Sequence, residues 1–99
     1  MVAIRIIDHV KQPSSYDDGQ VIFNLIRDDV REGRPVEVSF EGIHAVPSAF
    51  INAALVQLVE TAALPQIFKC LQITHSTKFI NDLIKRRFAF VAEQHGKTA

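Results

Sequence analysis

The clearest pattern in the chain is an alternation from Val36 to Glu41, where Val36, Val38 and Phe40 fall on one side and Glu37, Ser39 and Glu41 on the other. A period of two is that of an extended strand, because successive side chains point to opposite faces of a sheet. With Pro35 as its opening residue, the segment Pro35 to Glu41 reads as a central strand. A strand buried between two helix layers is apolar on both sides, so this alternation predicts a sheet with one polar face.

The flanking segments complete a repeating order. Residues 2–7 read as a first strand, with Val2, Ile4 and Ile6 apolar, and the stretch Lys11 to Ser15, with Pro13, interrupts it. Ser15 and Asp18 have the spacing of a capping box, and Gly19 offers a further cap, so a helix is expected from about Asp18. Its apolar stripe is Val21, Ile22, Leu25, Ile26 and Val30, and Gly33 is its natural stop.

After the central strand and the loop Gly42 to Pro47, Ser48 is the expected N-cap of a second helix. That helix carries Phe50, Ile51, Ala54, Leu55, Leu58 and Val59, and Pro65 ends it. Ile67 to Thr74 reads as a third strand with Leu71 and Ile73 inward. Ser76 caps a last helix bearing Phe79, Ile80, Leu83, Ile84 and Val91, closed by Gly96 and a polar tail. The predicted fold class is α/β: a single βαβαβα domain over residues 1–99, with a small, mainly parallel sheet and its helices chiefly on one face. Right-handed crossovers between neighbouring parallel strands produce that one-sided helix layer.

Composition narrows the function classes. Hydrophobic residues make up 47% and charged residues 22%, the balance of an ordinary globular chain. A chain of 99 residues buries roughly two-thirds of its unfolded surface, enough for one modest core. Eleven basic residues offset eleven acidic ones, so no global field draws in nucleic acid or an anionic membrane. The charge is nevertheless graded, with five basic and two acidic residues after position 75. The single Cys70 suits a reducing compartment, and the opening MVAIRIIDHV is too short and too charged for a leader or a span. The expected location is cytoplasmic.

Reactive constellations are sparse. Gly19, Gly33, Gly42 and Gly96 are too dispersed for a phosphate-binding loop, and His9, His44, His75 and His95 lack metal-ligand spacing, so neither cofactor nor metal is expected. Cys70 reads as an apolar core residue in the third strand. His44 and Ser48, with Glu41 as orienter, would be the elements of a small serine hydrolase, but no glycine-rich oxyanion loop accompanies them. Lys85, Arg86 and Arg87 form a basic run, a solvated face or the footprint of a nucleic-acid or nucleotide accessory protein.

The segment Val36 to Glu60, centred on Phe40, Glu41, Gly42, Ile43, Pro47, Ser48, Phe50, Asn52, Ala53 and Ala54, resembles the STAS-like family. These are small bacterial relatives of the STAS domain of sulphate transporters and anti-sigma-factor antagonists. Asp17 to Gln20 also resembles the family's approach to its first helix. The resemblance implies a non-enzymatic regulatory module that docks a protein partner, such as a histidine-kinase-like ATPase, at His44 to Asn52. The implied contact residues are His44, Val46, Pro47, Ser48, Ala49 and Asn52. In the antagonists the partner phosphorylates the second serine of an acidic-Ser-Ser-Gly pattern. Here Pro47, Ser48, Ala49 and Phe50 hold those positions, leaving Ser48 as the candidate phosphorylation site beside its role as a helix cap. A three-stranded sheet has two open edges, so a homo-oligomer is a further expectation.

Overall fold

The computed structural model describes residues 2–97. Strand β1 (Val2–Arg5) is followed by a 3-10 turn (Ile6–Asp8), helix α1 (Tyr16–Arg31) and strand β2 (Val36–Ser39). Helix α2 (Ser48–Ala54), a 3-10 segment (Val56–Glu60), helix α3 (Leu64–Cys70), strand β3 (Leu71–Thr74) and helix α4 (Lys78–Lys97) complete the chain. The strands form a parallel sheet in the order β1-β2-β3.

The register makes the polar alternation a property of the whole sheet. Val2, Val36 and Leu71 stand side by side, as do Ile4, Val38 and Ile73, and these rows face the helices. The intervening rows are Ala3, Glu37 and Gln72, then Arg5, Ser39 and Thr74. On this polar face the Thr74 hydroxyl donates to the Glu37 carboxylate at 2.9 Å. Beneath the helices, Val36, Val38, Phe40, Phe50, Ile51 and Leu55 are fully buried.

Helix α1 starts earlier than its apolar stripe suggests. Ser15 is the N-cap, its hydroxyl accepting from the Asp18 N–H at 3.2 Å, while the Asp18 carboxylate accepts from the Ser14 N–H at 3.1 Å. The pair satisfies the Asp18 N–H, which the first turn leaves without an intrahelical partner, and the N–H of Ser14, the residue before the cap. At the other end the Gly33 N–H reaches the Val30 carbonyl and the Arg34 N–H the Asp29 carbonyl, a Schellman closure. The Gln66 side chain also donates to the carbonyls of Val30 and Arg31. Val21 and Leu25 are exposed, contrary to the expected stripe; the buried face is Gly19, Ile22, Phe23, Ile26 and Val30.

That shift follows from Gly19, which is a packing residue and not a cap. A Cβ built there would lie 2.6 Å from both the Ala53 Cβ and the Phe50 carbonyl oxygen, so α1 and α2 meet backbone to backbone at this point.

The other expected elements also differ in extent, the central strand spanning Val36–Ser39 instead of Pro35 to Glu41. The first strand ends at Arg5, because the 3-10 turn drops Ile6 into the core. The second helix ends at Ala54 and continues as the 3-10 segment. Phe50, Ile51, Ala53, Ala54, Leu55, Val56 and Leu58 are all buried, which one straight amphipathic stripe cannot achieve. Pro65 does not stop a helix but occupies the first turn of α3, where its missing N–H costs nothing. Ile67 to Cys70 are therefore helical, and Cys70 is the buried last residue of α3 rather than a strand residue. Helix α4 runs past Gly96, and the polar tail at 98–99 lies outside the described residues.

Two outcomes follow. Gly19→Ala improves helix propensity by up to about 1 kcal/mol, but overpacking against an immobile carbonyl costs about 1–3 kcal/mol. Urea titration will show net destabilisation, and an equal or higher midpoint would contradict the close crossing. The Ser14 N–H, with smaller help from Ser15, holds the Asp18 carboxyl below the ordinary carboxylate range. Its contribution is thus complete above the unfolded carboxylate pKa of about 3.9 and disappears as pH falls through the lower folded value. The stability gap between wild type and Asp18→Asn will be constant near neutrality and close only at acid pH.

Candidate functional site

The β2–α2 connection is fixed from below by alternate burial. A turn from Phe40 to Ile43 closes through the Ile43 N–H on the Phe40 carbonyl at 2.9 Å, with Gly42 at φ 82° in its third position. Ile43, Val46, Phe50 and Ile51 are buried, while His44, Ala45, Pro47, Ser48 and Ala49 are exposed. Full burial of such an apolar side chain is worth roughly 1.5–3 kcal/mol. The loop is consequently held in one conformation with its polar and small residues outward. Val46, 7% or less exposed like Ile43, anchors the loop and is not available as a contact residue.

Polar contacts tie the same segment to α4. The Thr77 hydroxyl donates to the His44 carbonyl at 3.2 Å and accepts from the Ile80 N–H at 3.2 Å, so Thr77, not Ser76, caps α4. The Ser76 hydroxyl is turned to Asn81. From the middle of α4, Arg87 Nε donates to Asn52 Oδ1 at 2.9 Å, and its guanidinium lies 5.2 Å from the Phe90 ring centroid. Asn52 is thereby half-buried, and Arg87 is withdrawn from the basic run that it forms in sequence with Lys85 and Arg86.

Ser48 is not the cap expected of it. Pro47, at φ −76° and ψ 158°, holds the N-cap position of α2 without a side-chain bond, and Ser48 is the first helical residue. Proline supplies the extended backbone that a cap requires and brings no N–H of its own to satisfy. The Ser48 side chain faces solvent.

The hydrolase arrangement is not assembled. Arg5 Nη1 binds the Glu41 carboxylate at 2.8 Å, so Glu41 is directed to β1 and not to His44. Among the described residues His44 and Ser48 share no hydrogen bond. A cleft of about 340 Å³ does open at the carboxyl ends of β1 and β2, lined in part by Lys11, Pro13, Ser14, Gly42, His44 and Pro47. This is the end of a parallel sheet where α/β proteins place their sites. Among the described residues, no group of three or more His, Cys, Asp or Glu side chains is placed to hold a metal ion, and no helix is long and apolar enough to cross a membrane.

The Thr77 and Arg87 contacts were not read from the sequence. Ser76 and Thr77 are equally good caps by residue type, and nothing local links Arg87 to a residue 35 positions earlier.

Gly42→Ala tests whether the turn sets this surface. An L side chain in the left-handed region costs roughly 1–2 kcal/mol, and the added Cβ would stand 3.2 Å from Ile7 Cδ1. Thermal unfolding will register that loss, and amide shifts will change across 43–49; an unchanged loop spectrum would contradict the turn.

The sequence matches the family model described as a STAS-like domain of unknown function over residues 18–81, from the first turn of α1 to the first turn of α4. No curated protein and no solved structure matches the chain significantly. The matched span contains the α1–α2 crossing, β2, the anchored loop, β3 and Thr77, but not Arg87. With its three-stranded parallel sheet and four α-helices, the chain belongs to this family of STAS-like domains (DUF4325).

Proposed function

We propose that the chain is a non-enzymatic regulatory module of the cytoplasm that binds a protein partner through His44, Pro47, Ser48, Ala49 and the exposed part of Asn52. The observation that carries this reading is the pairing of outward residues with buried anchors. The surface is small-featured and fixed, so a partner loses little freedom in ordering it on docking. Proline, serine and alanine at the start of α2 leave room for a partner's larger side chains.

The STAS-like family membership favours a histidine-kinase-like ATPase as that partner, by the likeness to anti-sigma-factor antagonists. Ser48 is the hydroxyl such a partner would meet: exposed, in the first turn of α2, and free of a capping bond. Phosphorylation there would add about two negative charges to a contact patch that has no acidic residue. Docking does not depend on that step, because Ala49 stands at the position the antagonists modify.

Calorimetric titration with a histidine-kinase-like ATPase encoded beside this chain tests the reading. Ala49→Arg places a long charged side chain on the patch without touching the core. It will weaken binding at least tenfold while leaving the circular dichroism spectrum unchanged. Equal affinity of Ala49→Arg and wild type, or no heat of binding with the wild type, would overturn the proposal.

A further inference from the structure

On the other side of α4 a second surface lies open. Strand β3 is an edge of the sheet, and its inward residues Leu71 and Ile73 are only half-buried, whereas their neighbours Val36 and Val38 are completely covered. Helix α4 extends over the space beside them. The result is an apolar groove of about 390 Å³ between β3 and α4, floored by Phe68, Leu71, Ile73 and Phe88 and bordered by Lys85 and Ala89. Phe68, 57% exposed, closes one end with its ring edge-on to Phe88 at 5.3 Å between centroids.

We propose that this groove receives an extended segment of a partner protein, apolar at alternate positions and carrying carboxylates at its ends, which adds to β3 as a fourth strand. The backbone of β3 has hydrogen-bonding groups on its outer edge, and a strand laid there would sit about 4.8 Å away. Every second side chain, about 6.6 Å apart, would enter the groove beside Leu71 and Ile73.

Charge selects among occupants. Among the described residues Lys85 is the one charged residue lining the groove, Lys78 precedes it by two turns on the same side of α4, and Lys69 adjoins Phe68. None of the three is in an ion pair among the described residues. A second copy of this chain in the groove would bring its own Lys69, Lys78 and Lys85 against these cations, whereas a segment with terminal carboxylates would neutralise them. The site is separate from the surface at Asn52, because Lys85 and Arg87 point about 160° apart around α4.

The probe is a seven-residue peptide alternating valine and threonine with a glutamate at each end, compared with the same peptide ending in lysines. Each is titrated into the isotope-labelled chain at low salt. The acidic peptide will produce saturable amide shifts at 71–74 and along α4 near Lys85 and bind at least tenfold tighter than the lysine peptide. Lys85→Glu, a substitution at an exposed position, will weaken it at least fivefold without altering the circular dichroism spectrum. Equal affinity for the two peptides, shifts confined to 44–52, or no saturable binding would overturn the proposal. So would a peptide-independent dimer that protects β3, since it would make a second copy the occupant.

Discussion

Helix α1 approaches α2 as closely as it does because residue 19 has no side chain. With the Phe50 carbonyl oxygen and the Ala53 Cβ each 2.6 Å from where a Cβ of residue 19 would stand, the crossing leaves no room for a side chain there. Much else depends on it. The crossing fixes the rotation of α2, which directs Phe50, Ile51, Ala54 and Leu55 into the core and leaves Ser48 and Ala49 outside. Glycine in a helix costs conformational entropy, and the Ser15–Asp18 capping pair one turn earlier offsets part of that cost.

From this contact the candidate site follows as a consequence of packing. The β2–α2 loop runs from a core strand to a helix whose rotation is already determined, so its length and its buried residues, Ile43 and Val46, leave one path. Thr77 and Arg87 then join that path to α4, at the His44 carbonyl and the Asn52 amide. Residues on this surface thus divide in two: Thr77 and Arg87 hold the frame, while Pro47, Ser48 and Ala49 remain exposed. The edge of β3 is the complementary case, in which the fold ends before its apolar surface does.

Periodicity in the sequence was enough to read the parallel sheet, the polar face and the order of strands. The Val36–Glu41 alternation is local, and one register propagates it to β1 and β3. Other features depended on information a local pattern lacks. Ile67 to Cys70 are apolar enough for either a strand or a helix, and Pro65 is as suited to opening a helix as to closing one. Val21 and Leu25 fit the expected stripe of α1, yet the Gly19 contact rotates the helix so that Phe23 is buried instead. At the site, the loop between the central strand and the second helix was legible from Gly42 and Pro47. The displacement of the cap from Ser48 to Pro47, the burial of Val46 and the withdrawal of Arg87 were not, since each is decided by tertiary contacts.

The α1–α2 crossing is open to direct observation by nuclear Overhauser spectroscopy on the labelled chain. The account requires a strong cross-peak between the Gly19 α protons and the Ala53 methyl group, together with no contact from the Ala49 methyl to any core side chain. If the Gly19–Ala53 peak is absent, or if Ala49 reports core neighbours, α2 is rotated differently and the surface assigned to the partner does not face outward.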